Sequence, residues 1–201
     1  MMMYDEVEEW LAEARKAIET IDVGAVTRAG QALADVRFRG GTIFVIGNGG
    51  SASTANHFAC DLQKATRIEG LGTRAISLSD NTALLTAWGN DLSFDSVFSE
   101  QLRLLAAPGD ALVLFSVSGS SPNLLKALSM AEEMSLTTVA LLGKDGGRAG
   151  LRVDHAVIVS SDDYGWVESA HLVLEHVLTC YVRRAVGERL ITNGAVEELI
   201  R

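Results

Sequence analysis

Proline is nearly absent from this 201-residue chain, with two residues, while apolar residues make up 48%. That balance excludes a disordered or low-complexity polypeptide, and no internal repeat is visible. Cysteine is equally scarce. Cys60 and Cys180 fall in separate helical stretches without metal-ligand spacing, so both are expected to be small core residues of a protein in a reducing compartment. Basic charge is in deficit: 17 Lys and Arg face 26 Asp and Glu, for a formal net charge of −9. The deficit argues against nucleic acid as a partner, because such binding rests on clustered cations meeting phosphates. It leaves room for one phosphate at a helix terminus, which binds an anion through backbone N–H groups. Long hydrophobic runs are missing too. The longest apolar stretches are strand-length, well short of the roughly 20 residues of a membrane span, so no membrane partner is expected. The opening residues, Met1-Met2-Met3-Tyr4-Asp5-Glu6, are acidic rather than basic and then apolar. They do not read as a secretory signal, and a cytoplasmic location is expected.

What is present is a regular alternation of elements. From Tyr4 to Val36, apolar residues recur at helical spacing (Val7, Leu11, Ala14, Ile18, Ile21, then Val26, Ala29, Leu33), with a break near Asp22-Val23-Gly24. This is a long or paired N-terminal helix, an extension over 1–36. Strand-like runs follow at 42–47, 74–78, 111–116, 137–142 and 155–159. Helical segments are expected at 51–66, 81–89, 93–106, 122–134 and 166–185, with a short one near 194–200. Strands alternating with helices predict an α/β fold: a three-layer, doubly wound, five-stranded parallel sheet of flavodoxin-like layout. The length suits one domain, with its core over 40–185. In such sheets ligands sit outside the carboxyl ends of the strands.

Two turns fall at those ends. The buried-strand run Val113-Leu114-Phe115-Ser116 empties into Val117-Ser118-Gly119-Ser120-Ser121 and then a helix opening at Pro122-Asn123. Serine hydroxyls, free N–H groups and the positive end of a helix dipole together suit a phosphate. The turn lacks the Gly-Lys-Ser/Thr ending of a nucleotide P-loop and the spacing of a dinucleotide fingerprint, which favours a small phosphorylated metabolite over ATP or NAD. Cap chemistry alone, with Ser121 as N-cap and Pro122 at the first helical position, accounts for the same residues. The second turn, Gly47-Asn48-Gly49-Gly50-Ser51, follows the strand Thr42–Ile46. Its glycines admit a ligand close to the backbone, and Asn48 and Ser51 offer hydrogen bonds suited to sugar hydroxyls.

Titratable groups gather on two helices. His57 and Asp61 stand four residues apart and point from one face, as a metal-binding pair or a solvated one. The late segment Trp166–His176 carries Glu168, His171, Glu175 and His176 in an otherwise apolar helix. At about 100° per residue, Glu168, His171 and Glu175 share one line and His176 lies about 80° round from Glu168. Periodicity does not choose between His171 and His176. His155 reads as a strand residue near the edge of the sheet.

Taken in order, Gly47-Asn48-Gly49-Gly50-Ser51, His57-Phe58-Ala59, Gly89-Asn90-Asp91, Ser116–Ser121 and Gly143-Lys144-Asp145-Gly146-Gly147 resemble the SIS (sugar isomerase) domain family over roughly 40–185. The resemblance is nearest to its sedoheptulose 7-phosphate isomerase branch. It implies a single SIS domain over 1–201 and a homotetramer with active sites between subunits. The implied reaction converts sedoheptulose 7-phosphate to D-glycero-D-manno-heptose 7-phosphate through an enediol. It further implies one zinc ion on His57, Asp61, Glu168 and His176, with Asp61 and His176 as the acid–base residues. Substrate contacts carry over to Asn48, Gly49, Gly50, Ser51, Asp61, Asn90, Asp91, Ser116, Val117, Ser118, Ser121 and Glu168. The chain departs from the family pattern at Asp61, where Glu is usual, at Glu168, where Gln is usual, and at Val117, where Thr is usual. A basic residue common on the first helix falls at Ala65, with Lys64 and Arg67 nearby. Such changes leave two alternatives, an isomerase of another phosphosugar and a non-catalytic sugar-phosphate sensor or partner-binding protein.

Overall fold

A computed structural model describes residues 2–67 and 72–192. Five parallel strands, β1 (Thr42–Ile46), β2 (Arg74–Ser77), β3 (Ala111–Ser116), β4 (Thr137–Gly143) and β5 (His155–Val159), form one sheet in the order β2-β1-β3-β4-β5. The α/β, doubly wound fold expected from the alternating pattern is present. β1 and β3 are buried along their whole length, which is why they read as continuous apolar runs rather than alternating ones.

Their residues nevertheless divide between two faces. Val113 and Phe115 join the core beneath α2 (Val23–Phe38), α3 (Gly50–Ala65) and α8 (Tyr164–Thr192), where Leu33, Phe58, Leu62, Leu174 and Leu178 pack. Leu112 and Leu114 join the opposite core under α5 (Ser99–Leu105) and α6 (Pro122–Glu133), with Phe98, Leu102, Leu124 and Leu128. β1 runs next to β3 with Ile46 opposite Leu114. The sheet changes winding direction between these two strands, so the turns leaving them open side by side at its carboxyl edge.

The boundaries differ in detail from the sequence reading. The N-terminal pair is α1 (Met2–Glu19) and α2, with Asp22 capping α2 by accepting from the Gly24 N–H at 2.8 Å. The single helix expected over 93–106 is a 3-10 turn, Phe94–Ser96, followed by α5, because Val97 and Phe98 turn into the core between them. α4 is Thr82–Asp91, and a four-residue helix not expected from sequence, α7 (Gly147–Gly150), is tied to the serine turn by the Ala149 N–H donating to the Gly119 carbonyl at 2.8 Å. The helix expected near 194–200 lies outside the described residues. Cys60 and Cys180 are exposed rather than core residues: their neighbours Phe58, Ala59 and Leu62 on α3, and Leu178 and Val182 on α8, take the inward faces. Among the described residues no helix is long and apolar enough to cross a membrane.

His171 is part of this core. It is 1% exposed, its ring meets Phe115 edge-on at 5.9 Å, and neither ring nitrogen has a hydrogen-bond partner among the described residues. Burial lowers its pKa to about 4, against a partial opposing effect of the Leu142 backbone. In the unfolded chain the ring titrates near 6.5, so between pH 6.5 and 4 the unfolded state holds the extra proton. His171 therefore leaves stability intact above pH 6.5 and erodes it as pH falls toward 4, by up to about 3 kcal/mol. Denaturant unfolding of His171→Leu beside the parent at pH 7.5 and 4.5 is expected to show the variant gaining about 2 kcal/mol relative to the parent on acidification. Identical pH dependence would remove His171 from the acid sensitivity of the fold.

Candidate active site

The turn after β1 and the turn after β3 are fastened to each other. Asn48 Nδ2 donates to Asn123 Oδ1 at 3.0 Å, and Asn123 Nδ2 donates back to Asn48 Oδ1 at 2.8 Å. Each turn has its own brace. Gly49 takes a φ of 55° just ahead of α3, a left-handed conformation that favours glycine. In the other turn the Gly119 N–H donates to Ser116 Oγ at 3.0 Å. Gly119 is also left-handed, and a Cβ there would run into the Gly146 carbonyl.

Between them lies a cavity of about 120 Å³ lined by Asn48, Ser51, Ser116, Val117, Ser118 and Ser121, with Phe115, Leu124, Tyr164 and Glu168 closing it. Drug-sized ligands occupy about 300–1,000 Å³, so this space suits one small polar group. Ser121 is at the N-cap position of α6 and Pro122 opens the helix, yet the Ser121 hydroxyl makes no capping bond. Capping alone therefore does not explain the serine, whose hydroxyl remains available to a ligand. The Val117 side chain belongs to the α3–α8 core, so this residue can serve a ligand through its main chain.

About two helical turns along α3, a second group of side chains meets across to α8. His57 Nε2 lies 3.8 Å from Asp61 Oδ2, and His57 Nδ1 lies 3.5 Å from Glu175 Oε1. His176 Nε2 is 3.1 Å from Glu175 Oε1 and 3.7 Å from Asp61 Oδ2. The two imidazoles stand edge to face with centroids 5.0 Å apart. All four residues can offer donor atoms within 4.8 Å of one another, a donor set that fits a divalent cation. Glu175 is fully buried, and burial raises its pKa to about 7; the neighbouring His57 opposes that rise and Asp61 adds to it.

The SIS domain pattern matches residues 8–143, more than half of the chain. The chain belongs to the SIS domain family. A phosphoheptose isomerase of Geotalea daltonii is 38% identical over 194 residues, covering 93% of this chain and all of that protein. One from Trichlorobacter lovleyi is 45% identical over 139 residues, 69% of this chain and 71% of that protein. Among solved structures, a phosphoheptose isomerase from Neisseria gonorrhoeae superposes with a TM-score of 0.83 at 33% identity, over 90% of this chain and 98% of that one.

Within this SIS fold the residues singled out in the sequence fall into three places. Asn48, Ser51, Ser116, Val117, Ser118, Ser121 and Glu168 line the serine-turn cavity, with Gly49 and Gly50 in its first turn. His57, Asp61 and His176 come together at the second centre, whereas His171 lies in the core. Glu168 is not in that cluster. Asn90 and Asp91 end α4, exposed, with Asn90 Nδ2 donating to Asp91 Oδ1 at 2.9 Å, and neither lines the cavity. Sequence reasoning assigned no role to Glu175, Asn123 or Tyr164. The signal for Glu175 was there, a carboxylate next to His176 in an apolar helix, but helical angle alone did not separate it from Glu168.

Glu168 owes its position to Gly50. A Cβ at Gly50 would collide with the Glu168 carboxylate, whose atoms are its nearest neighbours. Gly50→Ala is expected to leave stability within about 0.5 kcal/mol, since the carboxylate can swing aside at this exposed helix start. Sugar-phosphate affinity should drop by about tenfold or more as the cavity wall moves. Calorimetric titration with sedoheptulose 7-phosphate beside a thermal melt checks both; unchanged affinity would show that Glu168 does not shape the cavity.

Proposed function

We propose that this chain is a phosphosugar isomerase that converts sedoheptulose 7-phosphate to D-glycero-D-manno-heptose 7-phosphate. The observation that carries this reading is the spacing of two unlike centres. Ser51 and His57 are six residues apart on α3, and Glu168 and Glu175 seven apart on α8, so the hydroxyl-lined cavity and the imidazole–carboxylate group stand about 10 Å apart along both helices. A chain phosphorylated at one end and reacting at the other spans such a pair. The relatives called phosphoheptose isomerase, matched along most of this chain, support the same substrate.

In this reading the Ser116, Ser118 and Ser121 hydroxyls hold the phosphate beside the start of α6, where the positive end of the helix dipole favours an anion. Asn48 and Ser51 orient sugar hydroxyls, while Gly49, Gly50 and Val117 contribute main chain. Glu168 bounds the sugar from the α8 side. Asp61 takes the proton from C1, leaving an enediol, and returns it to C2. His176 gives a proton to O2 and takes one from O1, so the net change is one ketose to one aldose. A divalent ion, zinc by the family resemblance, would be held by His57 and His176 with Asp61 beside them, and would supply Lewis acidity at the carbonyl.

The proposal extends to one SIS domain acting in the cytoplasm as a homotetramer, with Asn90 and Asp91 reaching substrate across subunits. Exposed apolar side chains on two helices, Val7, Trp10 and Leu11 of α1 and Leu172, Val173 and Val177 of α8, support assembly.

The test is aldose formation from sedoheptulose 7-phosphate by the purified protein, with Asp61→Asn and His176→Ala alongside. Each folded variant is expected to lose about 100-fold or more in turnover. Full turnover by Asp61→Asn would withdraw the base assignment, and no turnover by the parent protein would withdraw the substrate.

A further inference from the structure

The carboxylate that completes the cation centre is a separate question from the reaction, and two glutamates of α8 compete for it. Glu168 and Glu175 lie on one line of the helix, two turns and about 10 Å apart. Only one of them faces the histidines. Glu168 stands against Gly50 and walls the serine-turn cavity, whereas Glu175 Oε1 is 3.1 Å from His176 Nε2 and 3.5 Å from His57 Nδ1.

Glu175 is also an anomaly as it stands. Its side chain is 0% exposed, and neither carboxylate oxygen has a hydrogen-bond partner among the described residues. A carboxylate removed from water without hydrogen bonds is costly to fold unless a cation faces it. We infer that Glu175, rather than Glu168, is the buried carboxylate ligand of the cation centre formed with His57, Asp61 and His176.

Three features agree with this assignment. Four-coordinate sites with ligands at 2.0–2.2 Å place neighbouring donors about 3.4 Å apart; His176 Nε2 lies 3.1 Å from Glu175 Oε1 and 3.7 Å from Asp61 Oδ2, and one donor atom from each of the four residues lies within 4.8 Å of the others. Two carboxylates and two neutral imidazoles cancel the charge of a divalent ion, which one carboxylate would leave half-neutralised. A second carboxylate also means that Asp61 is not the sole anion facing the cation, so a bound cation would lower its basicity less than if it stood alone.

The inference rests on the isomerase reading for its role but not for its test. Zinc affinity of the metal-free protein is measured by competition with a chromogenic chelator, and the visible absorption of the Co²⁺-loaded protein is recorded, for the parent, Glu175→Gln and Glu168→Gln. Glu175→Gln is expected to weaken zinc by about 100-fold or more and alter the Co²⁺ spectrum, with Glu168→Gln holding zinc within about threefold of the parent. Glu175→Asp, which draws the carboxylate back by one methylene, should fall between them and serves if the Gln variant does not fold. Parent-like zinc affinity in the Glu175 variants, an equal or larger loss in Glu168→Gln, or no zinc binding by the parent each overturns the assignment. Turnover measured on the same samples keeps the two ideas apart: Glu175-dependent zinc binding without isomerase activity sinks the reaction alone, and activity with Glu175-independent zinc binding sinks the ligand alone.

Discussion

Two helices, α3 and α8, lie side by side on one face of the sheet, and their contact sets the positions of the imidazoles and carboxylates at the candidate site. The inward faces of both are apolar: Ala55, Phe58, Ala59 and Leu62 on one, Val167, Ala170, Leu174 and Leu178 on the other. Burying those faces on the sheet residues Ile43, Val45, Val113, Phe115, Val139 and Leu141 fixes the rotation of each helix about its own axis. Once rotation is fixed, the residues flanking the apolar stripe must meet along the seam. Gly50 then faces Glu168 at one end, and two turns further on His57 and Asp61 face Glu175 and His176. A change of rotation in either helix would move both centres at once.

The seam requires its starting end to be held still, and the sheet provides that. β1 and β3 are neighbours in register, so the turns that leave them are brought together before any side chain acts. The reciprocal amide pair of Asn48 and Asn123 then couples the first residues of α3 to the first residues of α6. Gly119 and α7 add a third element, through the Ala149 N–H on the Gly119 carbonyl. The cavity is thus bounded by the starts of helices anchored on a buried sheet rather than by free loops.

Much of this was legible in the sequence, for identifiable reasons. Fully buried parallel strands write themselves as unbroken runs such as Leu112-Val113-Leu114-Phe115, and glycine and serine mark the turns after them, so the fold and the two turns could be read directly. The pairing of His57 with Asp61 was legible because four residues is close to one helical turn. Glu175 was not, because Glu168 and Glu175 share a helical angle and differ only in height, and height acquires meaning only when a second helix is docked alongside. Val117 was ambiguous for a related reason. Its position in a turn says nothing about whether the side chain faces the ligand or the core, and contact with the space around Gly143 directs it inward. The cysteines were misjudged by composition: a small thiol is usually buried, but the inward faces of both helices were already filled by larger apolar groups.

The described residues lining the serine-turn cavity include no Lys or Arg, which shapes the demands on the fold. A cation attracts phosphate from any direction, whereas hydroxyls and N–H groups act only along their bonds and lose strength steeply when misaligned. A site built from neutral donors must therefore be rigid before the ligand arrives. The features that look merely structural, the paired asparagines, the Ser116 brace on Gly119 and the left-handed glycines, supply that rigidity. Glu168, held at the cavity wall by the open space at Gly50, adds negative charge beside the same donors. Under the proposed function, recognition of the phosphate by geometry rather than by charge suits a protein that carries a net charge of −9.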